Sequence, residues 1–209
     1  VGAVTDSLLK LEHSYLAVQG PPGTGKTYLA SHVMKRLVQE HGWRIGVVAQ
    51  SHKVVENVLD GVVNAGLDPD FVAKAPQNKQ SFAHSPPAWK LLDKKGYADF
   101  LSAHETSGAV VGGTAWDFSN ASRVERGMLD LLVIDEAGQY SLAPTIASAV
   151  AAQRLLLLGD PQQLPQVSQG THPEPVDESA LGWLIAGQDT LPTQFGYFLA
   201  ETRRMHSAL

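Results

Sequence analysis

The feature that most constrains the fold is a repeated pattern of short, unbroken apolar runs, each ending in a polar or glycine-containing turn. The runs are "SYLAVQG", "WRIGVVAQ", "AVVGG", "DLLVID" and "RLLLLGD". None alternates apolar with polar residues, so none suits a strand with one wet face. Continuous runs belong to strands buried on both sides, as in a parallel sheet covered by helices on both faces. Two of the intervening stretches have helical periodicity. "KTYLASHVMKRLVQEHG" sets Leu29, Val33, Met34, Leu37 and Val38 on one face and stops at Gly42. "HKVVENVLDGVVNAG" does the same with Val54, Val55, Val58, Leu59, Val62 and Val63, with Gly66 after it. The expectation is an α/β domain with a mostly parallel sheet, and 209 residues suit one such domain with a sizeable core.

Two stretches depart from this rhythm. Residues 68–107 are polar and proline-containing, and read as an excursion from the sheet: part loop, part short helix near Ala88–Ala103. "VSQGTHPEPVDES" is a second polar stretch, before a helix "ALGWLIAG" with Ser179 as its cap.

The first turn carries chemistry. "GPPGTGKT", Gly20 to Thr27, matches G-x-x-x-x-G-K-[ST] and lies between a predicted strand and a predicted helix. Gly20, Pro21, Pro22, Gly23, Thr24 and Gly25 form the loop. Gly23 and Gly25 let backbone N–H groups turn inward around phosphate oxygens. The helix N-terminus adds favourable partial charge. Lys26 can reach the β- and γ-phosphates, Thr27 can place its hydroxyl on Mg²⁺, and Tyr28 adjoins them. The bland alternative is a glycine- and proline-rich turn with an incidental lysine. The implied ligands are ATP and Mg²⁺.

Two further strand ends complete the pattern. In "LLVIDEAGQ", Asp135 closes a buried run and is the metal candidate, and Glu136 is the candidate for polarising the attacking water. In "LLLLGDPQQLPQV", Gln163 is a candidate sensor of the γ-phosphate. The alternatives are a solvated acidic pair and a polar turn held by Pro161 and Pro165.

Other readings are narrowed by what the chain lacks. It has no cysteine, which excludes disulfides and thiolate metal sites and is compatible with a reducing, cytoplasmic setting. No apolar stretch approaches ~18 residues, so no membrane span is expected. The eight histidines are scattered without H-x-x-x-H or H-E-x-x-H spacing, which argues against a metallohydrolase. The formal net charge of −5 means that nucleic-acid binding, if present, uses a local patch.

"GPPGTGKT", "DEAGQ" and "GDPQQLP", in this order, resemble motifs I, II and III of superfamily-1 helicases. They are most similar to subgroup B, the group of the nonsense-mediated-decay helicase and its DNA2-like relatives. "VVAQSHKVVENVL" resembles motif Ia, "VVGGTAW" the short motif with a Gly-Thr step, and "TRRMHSAL" motif IV. "DEAGQYSLA" and "GYFLAETRRMH" further resemble a bacterial branch in which the helicase region is joined to a RecB-like nuclease domain.

The resemblance implies a RecA-like P-loop domain over residues 1–198, with residues 199–209 starting the crossing to a second RecA-like domain absent from this chain. It implies that Arg204 reaches the γ-phosphate, Arg203 standing where an aromatic is usual. It implies single-stranded nucleic acid, DNA or RNA, as the partner and travel from 5′ to 3′. Ser51, His52 and Thr114 become contacts to the strand backbone. Trp116 and Phe118 are either stacking or core residues. The group's adenine-recognising Gln would fall just before Val1, with Ala3–Val4 as the pair that follows it. The first residue is Val rather than Met, so a trimmed piece of a longer protein is expected. Little turnover is expected of this piece alone.

Two other classes fit parts of the pattern. A P-loop switch that hydrolyses ATP without travelling shares motifs I and II. A ring-forming AAA+ ATPase shares them too, but "GDPQQLP" and the Arg-Met-His run point away from it.

Overall fold

The computed structural model describes residues 1–78, 82, 85–163, 170 and 172–202. Their strands form one sheet. In chain order they are β1 (Tyr15–Gln19), β2 (Arg44–Val48), β3 (Val72–Lys74), β4 (Lys90–Leu91), β5 (Ala109–Gly113), β6 (Leu131–Ile134), β7 (Leu155–Gly159) and β8 (Gly196–Phe198). The spatial order is β4-β3-β5-β2-β6-β7-β1-β8, and every neighbouring pair is parallel. All five apolar runs became strands.

The helices are α1 (Gly2–Lys10), α2 (Lys26–His41), α3 (His52–Asn64), α4 (Tyr97–Ala103), α5 (Ala115–Ser119), α6 (Leu142–Ala149) and α7 (Ala180–Ile185). Side chains alternate across each strand, so the sheet supplies two cores. On one face Val18, Val47, Val110, Val133 and Leu158 pack with Leu8 of α1, Met34 and Leu37 of α2, and Val58 and Leu59 of α3. On the other, Ala17, Val48, Val111, Ile134 and Leu157 pack with Leu101 of α4, Phe118 of α5 and Leu181 of α7. Helix ends follow the local chemistry. Gly42 ends α2 in the left-handed conformation at φ 65°, and Ser179 caps α7 by accepting from the Gly182 N–H at 3.0 Å.

The structure corrects the reading of residues 68–107. Val72–Lys74 is a strand paired with β5, and Lys90–Leu91 pairs with it in turn. The segment therefore extends the sheet, and its helix is confined to Tyr97–Ala103. A three-residue strand that ends in a lysine carries no periodic signal. That Lys74 is fully buried, with Nζ 3.1 Å from Glu56 Oε1 and 3.2 Å from the Ala75 carbonyl. The strand β8 also gave no signal. It is set beside β1 with help from buried Gln19, whose Oε1 accepts from the Leu191 N–H (2.6 Å) and whose Nε2 donates to the Asp189 carbonyl (3.2 Å).

Candidate nucleotide-binding site

In a parallel sheet the strand ends that precede helix N-termini collect on one edge, where ligands of such folds bind. The loops after β1, β6 and β7 meet there because those strands are adjacent. Gly23 and Gly25 both adopt left-handed conformations, at φ 85° and 86°. Gly25 is also the N-cap of α2, so the loop delivers its N–H groups to the helix end. Thr24 Oγ1 donates to the Pro21 carbonyl at 2.9 Å and closes the loop from inside. Lys26 Nζ lies 2.5 Å from the Gly20 carbonyl and 3.2 Å from that of Pro21. The ammonium thus ties two loop carbonyls together and would exchange them for the oxygens of a bound phosphate.

A cavity of about 480 Å³ sits over this loop, lined by Pro22, Gly23, Gly25, Lys26, Thr27, Tyr28, Glu136 and Gln163. Five residues of the phosphate motif, the adjoining Tyr28, the acidic motif and the glutamine share one surface. Tyr28 is well exposed, its ring 4.0 Å from that of His32. A larger cavity, about 640 Å³, opens where β2, β3 and β5 begin, beside Gly42, Phe71 and Ser107. It faces the edge away from the helix N-termini, so its size does not make it the site.

Asp135 is buried, at 4% exposure, and Glu136 beside it has φ 58°. A left-handed non-glycine residue is strained, and such strain persists where the surroundings dictate it. Here the Ala137 N–H donates to the Leu158 carbonyl at 2.7 Å, and the backbones of Gly138 and Asp160 touch. The turn is pulled onto β7, and Glu136 is directed into the cavity. Burial and the neighbouring Glu136 charge push the Asp135 carboxyl up to about 6; the Glu136 N–H and Lys26 act the other way. A cation beside this carboxylate would relieve that disadvantage. With the inward-turned loop, Lys26 and the exposed Thr27, the residues fit a nucleoside triphosphate with its Mg²⁺. Thr27 and Asp135 would hold the metal, which when bound neutralises charge on the phosphates.

Gln163 is positioned by its own turn, its N–H donating to the Asp160 carbonyl at 3.3 Å. Its Oε1 accepts from Gln139 Nε2 at 2.8 Å, and the Gln139 carbonyl accepts from Gln50 Nε2 at 2.7 Å. Gln139 and Gln50 were not singled out from sequence, although Gln139 lies within "DEAGQ". Arg204 and Arg203 lie outside the described residues. Thr202, just before them, donates to the Pro22 carbonyl at 3.3 Å, so the chain has reached the phosphate loop at that point.

The nucleic-acid candidates lie further along the same edge, after β2 and β5. Ser51 caps α3, its hydroxyl oxygen accepting from the Val54 N–H at 3.2 Å. Thr114 caps α5 through a capping box with Asp117. Its N–H and its hydroxyl both donate to Asp117 Oδ2, at 2.8 and 2.7 Å, so both donors are committed inside the protein. The T-x-x-D spacing of Thr114 and Asp117 carried that signal in the sequence. Asp117 is in turn paired with Arg123. Of the two aromatics, Phe118 is core and Trp116 is 68% exposed.

This fold and this edge of loops define a RecA-like P-loop domain. The AAA domain family matches residues 2–179, and the chain belongs to it. It is 24% identical over 204 residues to the DNA replication ATP-dependent helicase/nuclease DNA2 of Saccharomyces cerevisiae, covering 87% of this chain and 13% of that protein. In fold it is similar to the Arterivirus nonstructural protein 10 helicase, with a TM-score of 0.53, 18% identity, and 93% of this chain and 37% of the other covered. It is likewise similar to the Pyrococcus furiosus Hef helicase domain, with a TM-score of 0.52, 16% identity, and coverage of 96% and 38%. The chain thus spans a small part of its curated relative. Among the described residues, no helix is long and apolar enough to cross a membrane.

Proposed function

We propose that this chain is the ATP-binding motor domain of a helicase or translocase that couples ATP hydrolysis to movement on single-stranded nucleic acid, from 5′ to 3′. The observation that carries this reading is the single edge of loops. Lys26, Glu136 and Gln163 line the triphosphate cavity, and the Gln50–Gln139–Gln163 bonds join that cavity to the loop that carries Ser51 and leads into His52. A change sensed at Gln163 reaches the loop after β2 through two hydrogen bonds.

In this reading Lys26 and the loop N–H groups bind the triphosphate. Glu136 holds the attacking water and takes its proton, with Arg204 supplying positive charge at the γ-phosphate. The second RecA-like domain belongs to a longer parent and adds further arginines. Such groups are worth ~10³-fold or more in rate, so this chain alone binds ATP with little turnover. Ser51 keeps its hydroxyl hydrogen for a strand phosphate, and His52 lies beside it. Thr114 acts through the loop shape that its cap maintains. The helicase/nuclease name of the relative supports a nuclease region in the parent as well.

One observation favours a second reading. Both donors of Thr114 are committed to Asp117, as a switch that never grips a strand would allow. Steady-state hydrolysis by the longer parent separates the two, measured without polymer, with single-stranded DNA and with single-stranded RNA, and with Glu136→Gln as the blank. Strong stimulation by one polymer establishes the motor and names its track. Hydrolysis indifferent to both supports the switch.

A further inference from the structure

A second cavity on the same edge has no part in nucleotide chemistry. It measures about 240 Å³, and its walls include His52, Gln77, Lys94, Trp116 and Arg123. Pockets that take whole drug-sized molecules start at ~300 Å³, so this one suits a single ring. Two of its walls come from the segment around β3 and β4, which the helicase motifs do not cover.

Trp116 is exposed without being loose. Its helix is fixed by Phe118, which is fully buried two residues on, and by the Thr114–Asp117 box clamped to Arg123. A large aromatic face is therefore held out on a rigid mount. His52, which also lines the cavity, has a buried Nδ1 with no hydrogen-bond partner. Burial first and the charge of Lys74 second depress its basicity, so the imidazole is neutral near pH 7. Lys94 is exposed and lines the same cavity, which puts a cation there.

We propose that this cavity receives one base of the bound single strand, stacked on Trp116, with Lys94 against the adjoining phosphate. The proposal rests on the strand reading above and adds a base contact to it. An aromatic face beside a cation suits an unpaired base of any sequence. A duplex keeps its base faces stacked away, so it does not enter. The segment around β3 and β4 gains a role as the third wall of the strand path.

The test is a titration of the ¹⁵N-labelled chain, at millimolar concentration and low salt, with hexathymidylate and with an abasic hexamer of the same backbone. The four tryptophan indole N–H signals are assigned by single Trp→Phe variants. Hexathymidylate is expected to shift the Trp116 indole signal and leave that of Trp183, which is also exposed, in place. The abasic hexamer is expected to leave both. Trp116→Ala is expected to weaken hexathymidylate binding about tenfold with amide dispersion intact, and Trp116→Phe to retain most of it. If the Ser51 and Thr114 amides move with both hexamers while Trp116 does not, the strand reading stands and the base pocket is wrong. An equal Trp116 shift with the abasic hexamer or with a duplex also overturns the pocket. If neither loop nor Trp116 responds, both readings fail for this chain.

Discussion

Gln139 and Gln163, 24 residues apart in sequence, are joined by a hydrogen bond of 2.8 Å in which the Gln139 carboxamide donates. The bond ties the loop after β6, which carries Glu136, to the loop after β7. Only Gln163 faces the triphosphate cavity, so Gln139 acts by holding it. Gln163→Ala is expected to lower ATP affinity several-fold and leave ADP affinity unchanged. Gln139→Ala should give a smaller change of the same kind, and the double variant no more than Gln163→Ala, since the two act as a unit. Titrations with fluorescent ATP and ADP analogues read this directly. Equal losses for ATP and ADP would remove Gln163 as a γ-phosphate sensor.

Lys26 is the second case. Its two bonds to loop carbonyls are replaced by water at little cost when the side chain is removed, because the loop is accessible. Bonds from an ammonium to phosphate are charge-assisted and worth about 1.5–3 kcal/mol each. Lys26→Ala is therefore expected to weaken ATP binding by roughly tenfold to a hundredfold and to move the thermal midpoint by less than about 2 °C. A large drop in the midpoint would show that the lysine mainly supports the fold.

Asp135 makes a pH prediction. Its carboxyl sits at about 6 in the fold against an ordinary 3.8, so the folded state holds the proton more tightly than the unfolded state. The resulting stability is fully present below about pH 4 and is lost as pH rises through about 6. Without Mg²⁺, Asp135→Asn should match the unsubstituted chain near pH 4 and exceed it above pH 6, by about 1–3 kcal/mol. At ~2–4 °C per kcal/mol for this size, the gap is easily measured by thermal unfolding. Mg²⁺ should add to the stabilisation that ATP gives the unsubstituted chain and add less to that of the variant. A pH-independent gap would contradict the burial argument.

Gly138 tests how the acidic turn is held. A Cβ there would lie 2.1 Å from the Asp160 carbonyl oxygen, which is backbone and cannot swing aside. Gly138→Ala is expected to destabilise by about 1–3 kcal/mol or more through overpacking. It should also blunt the ATP–ADP distinction, because it separates the turns that carry Glu136 and Gln163. Unchanged nucleotide discrimination would mean that the two turns work independently.

Most of the site was legible in the sequence because it is built from contiguous motifs at strand ends. The strands behind those motifs are unbroken apolar runs, and α2 and α3 have clean helical faces. What stayed hidden depends on distant partners. The strand β3 was masked by Lys74, whose burial depends on a distant partner, Glu56 on α3. The strand β8 depends on the buried amide of Gln19. The commitment of Thr114 to Asp117 is written in the T-x-x-D spacing of a capping box, a pattern that overlaps the Gly-Thr motif. The Gln50–Gln139–Gln163 chain required knowing which strand ends are neighbours.

The Lys74–Glu56 pair supplies the last prediction. Lys74 is fully buried and the Glu56 side chain is 13% exposed, so neither is easily hydrated if the other is lost. Removing one member of such a pair costs about 3–5 kcal/mol, whereas replacing both with apolar groups of similar volume is often neutral. Glu56→Ala should therefore destabilise strongly, and Glu56→Leu with Lys74→Met should recover most of the loss. Lys74 also bonds to the carbonyl of Ala75, which lines the Trp116 cavity. If the double variant is as stable as the unsubstituted chain yet binds hexathymidylate more weakly, the pair serves the strand path. If it is stable and binds equally, the pair serves only to seat β3 against α3.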